Sequence, residues 1–275
     1  MVNGRISDKS YPRYLLGSRW LQTVLDAYQI LGMQSEMDAE RIRTMGADPR
    51  KVVVFGNMKY DLPASTPKLG PDLEAAIERW QPLLVAASTA AGEEELVLEA
   101  FGKLRRSNPT LKLLIAPRLT QRFNEVARTL DGGEFSYIRR SRLTESFDGR
   151  DILLLDSIGE LTAVFEHATV VFMGGTLVPR GGHNVLEPAR FKKAVVFGPH
   201  MENFRDMART FLEAGAAVRV GNVSELVTEV QRLLDRPDLA AEIGGSGRRL
   251  LEENQGATAN ALEAIESCIE REIPV

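Results

Sequence analysis

Short apolar runs alternate with amphipathic segments along most of this 275-residue chain. Beyond residue 80 the runs are rich in Val, Leu, Ile and Ala, as buried strands are, and the segments between them carry apolar residues every three or four positions, as helices do. The predicted strands are 82–88, 111–117, 152–157, 169–173, 194–198 and 216–220. The predicted helices are 93–106, 121–130, 159–167, 187–192, 204–213 and 224–235, followed by two closing helices, 239–253 and 258–272. Strands joined by helices in this way predict a Rossmann-like parallel sheet with helices on both faces.

The first part of the chain shows the same alternation on a smaller scale. The pattern predicts helices at 14–24 and 35–45 and strands at 28–33 and 51–55. Ser35 can cap the second of these helices, because a serine oxygen accepts hydrogen bonds from the free N–H groups of a first turn. A connector that carries Pro and Ser follows at 62–71 and predicts a boundary between two domains, 1–62 and 63–275.

Composition removes several classes of protein. The chain is 44% hydrophobic and 26% charged, which is ordinary for a soluble globular protein. Its net charge of −4 does not favour binding to nucleic acid. The one cysteine, Cys268, cannot form an internal disulfide. We see no run of about 18 apolar residues, no signal-peptide pattern and no metal-ligand spacing in the sequence. A soluble chain is therefore expected.

The stretch 169–189, TVVFMGGTLVPRGGHNVLEPA, is the most informative part of the sequence. An apolar strand runs into two glycine pairs, at 174–175 and 181–182, and then into a helix that Asn184 can cap and that has Glu187 near its start. A strand, a glycine-rich turn and a helix N-terminus together can hold an anion or a nucleotide, because backbone N–H groups come close to it and the helix dipole favours negative charge.

The same stretch strongly resembles the donor-nucleotide motif of the 3-deoxy-D-manno-octulosonic acid (Kdo) transferases, and the similarity covers nearly the whole chain. The run GNMKYD at 56–61 resembles the crossing between the two domains of that family. The resemblance implies the C-terminal donor-binding domain of a GT-B glycosyltransferase at 63–275. It implies that 1–62 is the tail of the N-terminal acceptor domain together with the crossing.

The resemblance also implies the roles of individual residues. Lys59 matches a lysine that stabilises charge on the departing nucleotide. The residues matching the family's CMP-contacting loops are Pro117, Arg118, Ile158, Gly159, Glu160, Asn184, Val185, Leu186 and Glu187. Further candidates within the same loops are Gly174, Gly175, Arg180, Gly182 and His183. Cations suit this chemistry, because a leaving cytidine monophosphate carries phosphate charge.

The activity that follows is metal-independent, inverting transfer of Kdo from CMP-Kdo to a lipid A precursor during lipopolysaccharide core synthesis. No cofactor is expected, and the reaction would take place at the cytoplasmic face of the inner membrane, which the family contacts through its N-terminal half. Two departures stand out. Ala90 follows Ser88 and Thr89 where the family has histidine, and no carboxylate here matches the motif of the family's general base. Little transfer by this chain alone is therefore expected.

Two other readings remain open at this point. One is another GT-B enzyme, a transferase or epimerase that uses a uridine nucleotide. The other is a degenerate nucleotide-binding module without activity. Comparing CMP with UDP as ligands separates the first of these from the Kdo-transferase reading, and the absence of any nucleotide affinity would favour the second.

Overall fold

The computed structural model describes residues 1–63, 65, 67–143 and 149–272, so positions 64 and 66 of the predicted connector lie outside the described residues. The strands are β1 (Leu31–Met33), β2 (Val52–Val54), β3 (Leu83–Thr89), β4 (Lys112–Pro117), β5 (Tyr137–Arg139), β6 (Ile152–Leu154), β7 (Val170–Met173), β8 (Ala194–Phe197) and β9 (Val218–Arg219). The helices are α1 (Tyr11–Leu16), α2 (Ser18–Asp26), α3 (Glu36–Thr44), α4 (Pro71–Glu78), α5 (Glu94–Ser107), α6 (Phe123–Asp131), α7 (Leu161–Val164), α8 (Leu186–Arg190), α9 (Arg205–Glu213), α10 (Val223–Asp235), α11 (Pro237–Glu253) and α12 (Ala257–Glu272).

The chain forms two compact units. One contains Met1–Pro63 together with Glu252–Val275, and the other contains Ala64–Leu251. The predicted second domain, 63–275, includes the last helix, whereas the contacts of that helix group it with the first unit. Asp61 helps to hold it there, because its carboxylate accepts hydrogen bonds from the N–H groups of Gly256 (2.7 Å) and Thr258 (2.6 Å).

The first unit is built on the parallel pair β1 and β2. Helix α3 begins where the sequence predicts, with the Ser35 hydroxyl accepting from the N–H of Asp38 at 3.2 Å. The single helix predicted at 14–24 is wrong: α1 and α2 are separate, and Gly17 lies between them. Glycine is a weak helix former, and here it marks the break.

The second unit is a parallel sheet with the strand order β5-β6-β4-β3-β7-β8-β9. The chain enters at β3, adds β4 beside it, forms β5 at the outer edge and then β6 between β4 and β5, and returns to β7 on the other side of β3. The β3–β7 pair is therefore the switch point of the sheet, where the strand order reverses and where ligands bind in such folds. The predicted doubly covered parallel sheet is confirmed.

Burial along β3 shows why this strand lies at the centre. Leu84 and Ala86 pack into a core cluster with Phe101 of α5 and Val230 of α10. Val85 points to the other face and is also fully buried. A strand covered on both faces reads as a continuous apolar run rather than an alternating one, which is why the sequence pattern identified it.

The structure adds two elements that the sequence pattern did not predict. Strand β5 has three residues, all half-buried, at the edge of the sheet. Helix α4 lies at the end of the predicted connector and starts with Pro71. Both are short and lack the long apolar run on which the strand and helix predictions depend. The predicted strand at 216–220 is reduced to the two residues of β9.

Strands β3 and β7 meet most tightly where they end. The N–H of Gly174 donates to the carbonyl of Ala87 at 2.7 Å. A Cβ atom at position 174 would lie 2.7 Å from the carbonyl oxygen of Ser88 and 2.7 Å from the Cα of Thr89. Ser88 has a φ of 54°, and the register between β3 and β4 shifts at this point. Only glycine fits position 174 without moving backbone atoms.

We therefore expect Gly174→Ala to destabilise the second unit by about 1–3 kcal/mol, the usual cost of forcing extra atoms into a packed site. The measurement is urea unfolding followed by Trp80 emission, with the exposed Trp20 changed to Phe so that Trp80 alone reports. Gly102→Ala in α5 is the matched control, because its Cβ would have no neighbour closer than 3.5 Å. That control should be neutral or slightly stabilising. Equal stability of Gly174→Ala and the parent protein would contradict the tight junction.

Candidate functional site

Arg118 is the first residue beyond β4 and lies beside the switch point. Its N–H donates to the carbonyl of Thr89, the last residue of β3, at 3.0 Å. Its side chain is exposed and forms no hydrogen bond or ion pair with the described part of the chain. Pro117 before it ends β4 and is buried. The sheet thus places an unpaired guanidinium at its carboxyl edge.

The loop after β7 brings two more polar side chains to this edge. Gly175 has a φ of 68°, and a Cβ atom there would lie 3.1 Å from Nε2 of His183 and 3.7 Å from Cβ of Arg180. The N–H of Gly182 donates to the carbonyl of Gly175 at 2.9 Å, which closes the loop. His183 and Arg180 therefore both lie against Gly175.

The electrostatics link His183 to Arg118. Burial lowers the pKa of the His183 imidazole, and the positive charge of Arg118 lowers it further. The imidazole is consequently neutral at neutral pH, and it can donate or accept a hydrogen bond without adding charge. Arg118, which follows β4, and His183 in the loop after β7 lie 65 positions apart in the sequence, yet they are close enough in the fold to interact electrostatically.

Helix α8 starts at Leu186, one position earlier than the predicted 187–192, and its cap differs from the prediction. Val185, not Asn184, is its N-cap, and Oδ1 of Asn184 accepts from the N–H of Leu186 at 3.0 Å. Val185 and Leu186 are fully buried, and the N–H of Leu186 is already bonded to Asn184, so neither of these two predicted contact residues is exposed to a ligand. Glu187 is half-buried, and its carboxylate accepts from the hydroxyl of Thr162 at 2.9 Å, which ties α8 to α7.

The loop Ser157–Glu160 follows β6 and is held by a network that sequence reasoning missed. Arg140 donates to both oxygens of Glu160 at 2.9–3.1 Å and also binds Asp72 at 2.8 Å. The hydroxyl of Ser157 donates to Glu160 as well. At the tip, Gly159 has a φ of 90° and the Ile158 side chain is 80% exposed. The Glu160 carboxylate thus shapes the loop, while Ile158 is the side chain it presents.

The first glycine pair does not offer free N–H groups, so the expectation that this turn faces an anion with its backbone is wrong. The N–H of Gly174 is bonded to Ala87, and that of Gly175 donates to the buried carboxylate of Glu93 at 2.6 Å. In the sequence, Glu93 is only the first residue of a predicted helix. It is also the first of three consecutive glutamates, at 93–95, and nothing in that run indicates that Glu93 is buried.

Lys59 belongs to the first unit, where it is exposed in a short 3₁₀ turn. The Asn57 side chain caps that turn by accepting from the N–H of Lys59 at 3.0 Å. Across the described ranges, no group of three or more His, Cys, Asp or Glu side chains is arranged to hold a metal ion. None of the helices in those ranges is long and apolar enough to cross a membrane.

The chain is similar in sequence to one family model and to several curated proteins. A family model described as 3-deoxy-D-manno-octulosonic-acid transferase (kdotransferase) matches residues 1–62. The chain is 33% identical over 276 residues to the 3-deoxy-D-manno-octulosonic acid transferase of Haemophilus influenzae, covering 99% of this chain and 65% of that protein. It is also 33% identical over 272 residues to the enzyme of the same name from Bordetella pertussis, covering 97% and 63%. The chain thus spans less than two thirds of the length of these curated relatives.

Solved structures give a further comparison. The C-terminal CMP-Kdo binding domain of WaaA from Acinetobacter baumannii is similar with a TM-score of 0.61 and 28% identity. The match covers 65% of this chain and 93% of that domain. A glycosyltransferase from Rickettsia africae matches with a TM-score of 0.53 at 14% identity, over 96% of this chain and 67% of the other. The second likeness shows a shared fold only.

The electrostatic interaction between Arg118 and His183 can be tested without any ligand. We expect Arg118→Ala to raise the pKa of His183, because a nearby positive charge disfavours the imidazolium. The value should stay below the ordinary 6.5, since burial is the larger cause and remains. In Arg118→Lys, which keeps the positive charge, the pKa of His183 should be nearly as low as in the parent protein. The measurement is an NMR titration, and His167 and His200 serve as internal controls. An unchanged His183 titration in Arg118→Ala would place the two groups apart.

Proposed function

This chain belongs to the 3-deoxy-D-manno-octulosonic-acid transferase family, and on that premise we propose that its second unit binds the nucleotide part of CMP-Kdo. The observation that carries the proposal is that Arg118, Arg180 and His183 all lie near the switch point: Arg118 is bonded through its N–H to Thr89, and Arg180 and His183 lie against Gly175. The two guanidinium groups have no partner in the described chain, and the His183 imidazole is half-buried. The similar domain from Acinetobacter baumannii is itself named as a CMP-Kdo binding domain.

The chemistry of the donor fits these groups. A nucleoside monophosphate ester of a sugar acid has a phosphate, and guanidinium groups bind phosphate oxygens with charge-assisted hydrogen bonds. Ile158 offers an exposed apolar surface at the loop after β6. The unit supplies positive charge through side chains rather than through the N–H groups of the first glycine pair.

We propose that the whole protein transfers the Kdo residue to a hydroxyl of a lipid A precursor at the cytoplasmic face of the inner membrane, with inversion. The bond between the anomeric carbon and the CMP oxygen breaks, and its electron pair stays on the phosphate, so CMP leaves. The acceptor oxygen bonds to the anomeric carbon and gives its proton to a base, for which we assign no residue of this chain. Arg118 would stabilise the charge on the departing phosphate, with no metal required. For Lys59 the same role rests on the resemblance to the family alone.

Calorimetric titration of this chain with CMP and with UDP tests the donor assignment. We expect CMP to bind more tightly than UDP, and the affinity to be the same in EDTA as in Mg²⁺. Arg118→Ala should weaken CMP binding about 10–100-fold, because a hydrogen bond to a charged group contributes about 1.5–3 kcal/mol.

Arg106→Ala is the matched control, since Arg106 is another exposed arginine without a partner in the described ranges and lies in the last turn of α5. It should leave the CMP affinity unchanged. Tighter binding of UDP would favour a uridine-nucleotide enzyme. No affinity for either nucleotide, in a folded protein, would refute the proposal.

A further inference from the structure

Glu93 is a fully buried carboxylate whose partners are all backbone N–H groups. Its exposed fraction is 0%. One oxygen accepts from the N–H groups of Thr176 (3.0 Å) and Leu177 (2.9 Å). The other accepts from Gly175 (2.6 Å) and from Ala90 (3.2 Å). A buried charge is costly unless it is well bonded, and no described Lys, Arg or His side chain bonds to it. Its charge is therefore balanced by the dipoles of these backbone N–H groups.

Three of those four N–H groups are consecutive and lie more than 80 positions further along the chain, in the turn that follows β7. Carboxylates that accept several backbone N–H bonds form strong, charge-assisted contacts. Burial raises the pKa of Glu93, and the four N–H groups act against that rise. The contact joins the segment between β3 and α5 to the end of β7, across the switch point.

The turn held by Glu93 carries the candidate site. Gly175 is the residue against which His183 and Arg180 lie. Thr176, fully buried, donates through its hydroxyl to the carbonyl of Met173 (2.6 Å) and accepts there from the N–H of Gly198 (2.7 Å). The turn is thus bonded to β7 and to the end of β8, and Glu93 fixes it from the β3 side. Moving the turn would move His183 and Arg180 with it.

We propose that Glu93 is a positioning residue for the donor site: its carboxylate fixes the turn Gly175–Leu177 and, through Gly175, sets the imidazole of His183 and the side chain of Arg180 at the switch point. Glu93 does not contact the donor itself. The part of this inference that concerns nucleotide affinity rests on the proposed function, whereas the part that concerns His183 does not.

Glu93→Gln tests the proposal with nearly unchanged shape. A glutamine side chain has one acceptor oxygen, and its NH₂ group faces two backbone N–H donors in either orientation. Two of the four hydrogen bonds are lost, and buried N–H groups without an acceptor destabilise the turn. Glu95→Gln is the matched control: it is the same substitution two positions along, at an exposed carboxylate without a partner in the described ranges.

Two properties are measured on variants that circular dichroism shows to be folded, at temperatures well below their melting temperatures. We expect Glu93→Gln to raise the pKa of His183 toward 6.5 in an NMR titration, because a loosened turn admits water to the imidazole. We expect its affinity for CMP to fall by about tenfold or more. Glu95→Gln should change neither. If Glu93→Gln does not fold, Glu93→Asp is used, which keeps the charge but shortens the side chain, and it should shift both readouts in the same direction.

A role limited to stability would lower the melting temperature of Glu93→Gln and leave both the His183 titration and the CMP affinity unchanged, and that result overturns the proposal. A loss of CMP affinity with an unchanged His183 titration overturns it too, because Glu93 would then affect CMP binding without changing the position of His183. If parent protein binds no CMP but Glu93→Gln still shifts His183, the positioning role stands and the proposed function fails.

Discussion

The hydrogen bond between the N–H of Gly174 and the carbonyl of Ala87 fixes how strands β3 and β7 end. Because position 174 has no side chain, the two strand ends lie flush, and the turn that follows begins directly above β3. That placement lets the carboxylate of Glu93 reach the next three N–H groups. It also puts Arg118, bonded through its N–H to Thr89, beside the same turn. A methyl group at 174 would separate the strand ends on which all of these contacts depend.

The charges at this junction are arranged in two layers. Inside, a carboxylate occupies the N–H groups of the glycine turn, which in other nucleotide-binding folds face the phosphate. Outside, two guanidinium groups are left without partners in the described chain. An anionic ligand here would therefore bind to flexible cationic side chains around a rigid turn. Such side chains are exposed, so salt should weaken their attraction to a ligand more than it weakens the buried contacts of Glu93.

The pattern of the sequence predicts the sheet well because its central strands are covered on both faces and so form unbroken apolar runs. It fails at β5, a three-residue edge strand, and at Gly17, where one predicted helix is two. The resemblance to Kdo transferases points to the loops that follow β4, β6 and β7, including those of Arg118 and His183. Neither approach reveals Glu93, whose partners lie more than 80 positions away. A contact of that kind depends on strand order, which periodicity does not encode.

The acidic residues of the candidate loops are all engaged by the protein itself. Glu93 binds the turn after β7, Glu160 binds Arg140 in the loop after β6, and Glu187 accepts from Thr162. Each carboxylate thus fixes a loop instead of projecting negative charge toward the edge of the sheet. With the acids held and Arg118 and Arg180 unpaired in the described chain, this edge presents unpaired positive charge although the chain as a whole has a net charge of −4. Local pairing, rather than total charge, decides what can bind here.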